Sequence, residues 1–69
     1  MDTDLRRAFV AVADTGGFSS AANLLNRTQS AVSLQVRRLE ERFDAKLFDR
    51  TSRSVQLTQN GMRMLPYAR

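Results

Sequence analysis

Two helix-forming stretches of this chain meet almost without a connection. Ser19-Ser20-Ala21-Ala22 opens a short helix running to about Leu25; Asn26 and Arg27 follow, and Thr28 then starts a longer stretch whose apolar residues are Val32, Val36, Leu39 and Phe43. Asn is the non-glycine residue that best tolerates the left-handed conformation in which many helices end, and Thr is a good N-cap. Helices joined by so short a turn must cross steeply. Ala22 is small where the backbones approach, Asn26 turns the chain, and Val32 is apolar to close the pair, which is the pattern of a helix-turn-helix unit.

The rest of the chain supplies what such a unit packs against. Leu5, Phe9, Val12 and Ala13 recur at helical spacing between Asp4 and Asp14, and Gly16-Gly17 ends that first helix. Ser19 can cap the second helix, with Phe18 just outside it packing back as a staple. Beyond Phe43 the pattern changes to Leu47-Phe48-Asp49-Arg50, a polar break at Thr51-Ser52-Arg53-Ser54, and the alternating Val55-Gln56-Leu57. Alternation around a polar tip predicts a small hairpin, looser than the tightest kind because it lacks an Asn-Gly or Asp-Gly pair. Thr58 caps a last helix containing Met62 and Leu65, which Pro66 deprives of one backbone hydrogen bond and bends if the helix continues. The fold class is mainly α: a winged helix-turn-helix, with a three-helix core and a β-hairpin wing.

Composition narrows the function. At 69 residues, 42% hydrophobic and 26% charged, the chain is one small globular domain. No apolar run approaches the roughly 20 residues of a membrane span, and the acidic start Met1-Asp2-Thr3-Asp4 is unlike a secretory signal, so a cytoplasmic protein without membrane contact is expected. With no Cys and no His, disulfides, thiol nucleophiles, histidine triads and the usual zinc sets are excluded. Glu40 and Glu41 stand beside Arg37, Arg38 and Arg42, where spacing favours surface ion pairs over a carboxylate site. Gly16-Gly17 lacks the further Gly and Lys of a phosphate-cradling loop. The expectation is therefore a binding module, not an enzyme, with no metal and no cofactor.

Charge points to the partner. Residues 1–26 carry Arg6 and Arg7 against Asp2, Asp4 and Asp14, whereas residues 27–69 carry nine basic side chains against Glu40, Glu41, Asp44 and Asp49. Ten of the eleven basic residues are Arg, whose planar fork suits phosphates and guanine edges. At about 100° per residue, Val32, Val36, Leu39 and Phe43 share a narrow arc of the third helix that faces the core. Gln29, Ser30, Ser33, Leu34 and Arg37 fall on the other side, toward the N-terminal half that a recognition helix presents to a major groove. Gln can bond an adenine edge twice, Ser can donate or accept, and Arg37 can reach a phosphate or a base. Leu34 is either an ordinary exposed leucine or a contact for a thymine methyl. Ser19 and Thr28 are caps whose helix N-termini also suit phosphates. Arg50 and Arg53, at the base and tip of the hairpin, can straddle a backbone or enter a narrow A·T minor groove.

Phe18-Ser19-Ser20-Ala21-Ala22, Thr28-Gln29-Ser30-Ala31-Val32-Ser33, Arg37-Arg38-Leu39-Glu40, Leu47-Phe48, and then Arg50, Arg53, Val55, Leu57, Thr58 and Gly61 together resemble the N-terminal domain of LysR-type transcriptional regulators. Arg27 to Ser33 looks closest to the LrhA/HexA/PecT-like branch. The resemblance covers nearly the whole chain in order and spacing. It implies a winged helix-turn-helix at residues 1–58, the start of a dimerising linker helix at 59–69, and an effector-binding domain, absent from this sequence, where any small-molecule effector would bind. It also implies base reading by Gln29, Ser30, Ser33 and Leu34, and contacts to the DNA backbone or minor groove by Ser19, Thr28, Arg37, Arg50, Arg53 and Thr58. Many members have Pro in place of Ser30, and Arg, Lys or Gln in place of Leu34, so a base preference does not transfer at those positions; Asn60 replaces a usual Ala.

The expected partner is double-stranded DNA carrying an A·T-rich inverted repeat, bound by a homodimer that is weak in this fragment. The alternative is a winged-helix module that docks a protein and touches DNA only weakly. Met62, Leu65 and Tyr67, with Leu5, Phe9 and Val12, can either meet a second subunit or close the monomer's own core.

Overall fold

The computed structural model describes residues 2–50 and 54–69. Its elements are α1 (Thr3–Thr15), α2 (Phe18–Leu25), α3 (Gln29–Phe43), β1 (Phe48–Asp49), β2 (Gln56–Leu57) and α4 (Gln59–Ala68). The two strands pair antiparallel, Phe48 opposite Leu57 and Asp49 opposite Gln56. Among the described residues no helix is long and apolar enough to cross a membrane.

Local chemistry sets the helix ends. Asp2 Oδ1 accepts from the Asp4 and Leu5 amides at 2.9 and 3.3 Å and starts α1. Gly16, at φ 80°, ends it in the left-handed conformation that costs glycine least. Asn26 takes the same conformation at φ 56°, so that the Arg27 amide donates to the Ala22 carbonyl and the Asn26 amide to that of Asn23. This double closure is a Schellman turn, and it leaves only three residues between the end of α2 and the start of α3. Asp44, at φ 50°, closes α3 by the same pattern, its amide donating to Glu41 and that of Ala45 to Glu40.

The core lies where α1, α2 and α3 meet. Phe9, Val12, Val32, Val36, Leu39 and Leu47 are fully buried, and Ala8, Ala11, Ala21 and Ala22 let the helix backbones approach. Leu5, Phe9 and Val12 thus close the monomer's own core, while Met62 and Tyr67 stay exposed and Leu65 is partly buried against it. Phe9, Phe48 and Phe18 form an aromatic row, with ring centroids 5.4 and 6.0 Å apart. Through Phe48 the hairpin rests on both α1 and α2.

Three expectations are corrected. Ser19 does not cap α2: extended Gly17 holds that place, and Phe18 is the first helical residue, packed edge-on to Phe48. Phe43 is not core but 45% exposed, because it is the last residue of α3 and only α4 and the segment before β1 flank it. Glu40 is not a surface ion-pair residue but is buried, at 4% exposure.

Helix α4 crosses close over the hairpin base. Gly61, in its first turn, is buried, and a methyl there would collide with the Leu47 carbonyl oxygen and come within 2.8 Å of Leu57 Cδ2. The helix runs through Pro66 to Ala68, and its end is tied to α1: Arg6 Nη1 donates to the Ala68 carbonyl at 2.8 Å, and Arg69 pairs with Asp14 at 2.7 Å.

Candidate nucleic-acid interface

Burial of Val32, Val36 and Leu39 fixes the rotation of α3 about its axis, and so decides which side chains face outward. Gln29, Ser30, Ser33, Leu34 and Arg37 line one open depression along the N-terminal half of this helix. All four residues predicted to read bases are thus brought together, with Arg37 at the far end. Leu34 is 43% exposed, an apolar side chain in a polar row. Thr28 Oγ1 accepts from the Ala31 amide at 3.1 Å and holds the start of the helix. Among the described residues Arg37 forms no ion pair, which leaves its guanidinium free for an external anion.

The other predicted contacts have partners inside the protein. Ser19, in the first turn of α2, donates from Oγ to Gln29 Oε1 at 2.9 Å. Arg50 lies with its guanidinium 4.8 Å from the Phe18 ring centroid, and its Nη2 is 3.4 Å from Glu40 Oε1. Thr58 Oγ1 donates to the Lys46 carbonyl at 2.6 Å and accepts from the Gly61 amide at 3.1 Å. Its amide donates to the Leu47 carbonyl at 3.0 Å, so Thr58 both caps α4 and clamps β2 to the segment before β1. Arg53 lies outside the described residues.

Glu40 is the residue that sequence reasoning missed. Its Oε2 accepts from the Leu47 amide at 2.8 Å and the Phe48 amide at 3.4 Å, and its Oε1 faces Arg50. A side chain of α3 thereby fixes where the wing begins. One signal was available: at about 100° per residue Glu40 sits at the edge of the apolar arc and not opposite it. Lys46, beside Arg37 in a neighbouring depression, adds a second exposed cation to this side of the molecule.

Comparison with known proteins agrees with this geometry. Residues 3–62 match the model of a family described as bacterial regulatory helix-turn-helix protein, lysR family. The HTH-type transcriptional regulator PecT of Dickeya dadantii is 51% identical over 69 residues, which is all of this chain and 22% of PecT. The BenM DNA-binding domain, solved in complex with benA site 1 DNA, superposes with a TM-score of 0.94 at 37% identity, covering 99% of this chain and 76% of that one. Vibrio fischeri DarR, solved in complex with DNA, superposes with a TM-score of 0.94 at 35% identity, covering 99% and 23%. The chain spans less than half the length of the first curated relatives it matches.

Proposed function

The chain belongs to the LysR family of bacterial regulatory helix-turn-helix proteins, and on that premise we propose that it is the operator-recognition module of a transcription regulator, binding double-stranded DNA sequence-specifically. The observation that carries the reading is the open face of α3, where Gln29, Ser30, Ser33, Leu34 and Arg37 stand together while the opposite side is buried in the core. A helix held in this way can enter a major groove with its N-terminal half leading. Gln29, Ser30 and Ser33 then meet base edges, and Leu34 meets a thymine methyl. Thr28 and Arg37 contact the backbone, with Arg53 reaching backbone or minor groove from the wing. Ser19, Arg50 and Thr58 adjoin the DNA while their internal bonds keep the interface in shape.

The module acts as a homodimer on an A·T-rich inverted repeat, with residues 1–58 as the DNA-binding unit and 59–69 as the start of the helix that pairs two subunits. It needs no cofactor and performs no catalysis; a small-molecule effector belongs to a further domain of the whole regulator. The cytoplasm is its site of action.

Fluorescence anisotropy on a labelled A·T-rich inverted repeat and on a scrambled duplex, over several salt concentrations, tests the reading. The expected outcome is tighter binding to the repeat, with log affinity falling against log salt by about 0.9 per phosphate neutralised. Weak binding to both duplexes that is flat in salt would overturn it and leave protein docking as the use of this fold.

A further inference from the structure

We propose that Ser19 is a positioning residue for Gln29, holding its side chain ready for one base, and not a ligand of DNA phosphate. The proposal rests on the DNA-binding reading above and deepens it.

Gly17 occupies the N-cap of α2 and makes no side-chain cap bond, so the Ser19 hydroxyl is not used to close its own helix. It donates instead across ten residues of sequence to Gln29 Oε1, at 2.9 Å. Gln29 is exposed at the first position of α3, and among the described residues nothing else holds its amide. An exposed Gln samples many rotamers, and ordering such a long polar side chain costs about 1.5 to 2 kcal/mol of conformational entropy. The bond to Ser19 removes part of that freedom before DNA arrives. It takes one of the two lone pairs of Oε1, leaving the other for the adenine N6 donor and an Nε2 hydrogen for N7. In bulk water so exposed a bond matters little, but at an interface that displaces water it carries weight. Its benefit appears only on sites where Gln29 bonds a base, because other contacts do not pass through that side chain.

Selection from a randomised duplex library with the wild-type chain defines the preferred site. Affinities of wild type, Ser19→Ala, Ser19→Thr, Gln29→Ala and the double variant Ser19→Ala/Gln29→Ala are then measured on that site and on every single-base replacement in a half-site. The expected result is that Ser19→Ala loses about three- to tenfold on the preferred site, with the loss confined to the base pair whose preference Gln29→Ala also flattens. Ser19→Thr restores that preference, the salt dependence is unchanged, and adding Ser19→Ala to Gln29→Ala costs nothing more. Losses that add in the double variant, fall equally on all bases, or are absent would overturn the positioning role alone. A wild-type chain that enriches no sequence would overturn the DNA-reading proposal, and this one with it.

Discussion

Glu40 has three donors around one carboxylate: the amides of Leu47 and Phe48 and the guanidinium of Arg50. It is almost fully buried, so its removal would leave two amides and a cation without their acceptor. Glu40→Ala is expected to cost about 3 kcal/mol in urea unfolding, and Glu40→Gln less, since an amide oxygen still accepts from the backbone. From sequence, a Glu within a run of charged residues reads as a surface residue; only the neighbouring strand, brought in by tertiary folding, supplies the donors that make burial tolerable. Gly61 carries an opposite kind of information, since what matters there is the absence of a side chain. Gly61→Ala gains helix propensity of about 1 kcal/mol but drives a methyl into the Leu47 carbonyl. A net loss of about 1 to 2 kcal/mol is expected in thermal unfolding, with α4 displaced from the hairpin.

At the scale of elements, the two left-handed turns made without glycine were unequally legible. Asn26 announces itself, because Asn tolerates φ > 0 and a strong N-cap, Thr28, follows within two residues. Asp44 does the same job at φ 50° without such a cue, and its negative charge sits at the C-terminal, negative end of the α3 dipole. Asp44→Gly is therefore expected to stabilise the chain by about 1 kcal/mol, read as a higher urea midpoint at unchanged slope. The apolar periodicity of α3 identifies Val32, Val36 and Leu39 as core but carries on to Phe43, at the end of the helix, which α4 flanks without covering. Periodicity reports a face, not how far a neighbour covers it. The wing shows the reverse: strands of two residues each cannot hold themselves, and Glu40, Phe48 and Thr58 tie them to α1, α2, α3 and α4. Thr58→Ala, which loses both the α4 cap and the bond to Lys46, is expected to cost about 1 to 2 kcal/mol in chemical unfolding.

At the scale of the whole molecule, the excess positive charge of residues 27–69 is carried by the part that contains α3 and the wing. Arg37, unpaired among the described residues, and Gln29, held by Ser19, are expected to behave differently on DNA. Arg37→Ala should weaken binding to all sequences alike and reduce the salt slope by about 0.9, as one lost phosphate contact does, while base preference is kept; salt-dependent anisotropy on matched and mismatched duplexes measures both. The Arg69–Asp14 pair, exposed on both sides, is worth well under 1 kcal/mol and joins α4 to α1 without governing stability. Helix count, the tight turn at Asn26, the caps at Thr28 and Thr58, and the open row from Gln29 to Arg37 were determined by the sequence alone, because each depends on residues within about two turns of one another. Tertiary structure alone decided that Glu40 is buried, that Phe43 is not, that Arg50 lies against Phe18, and that Ser19 reaches Gln29. Each of these depends on a partner from another element, and chemical type and spacing along one helix carry no record of which side chain the fold will bring opposite.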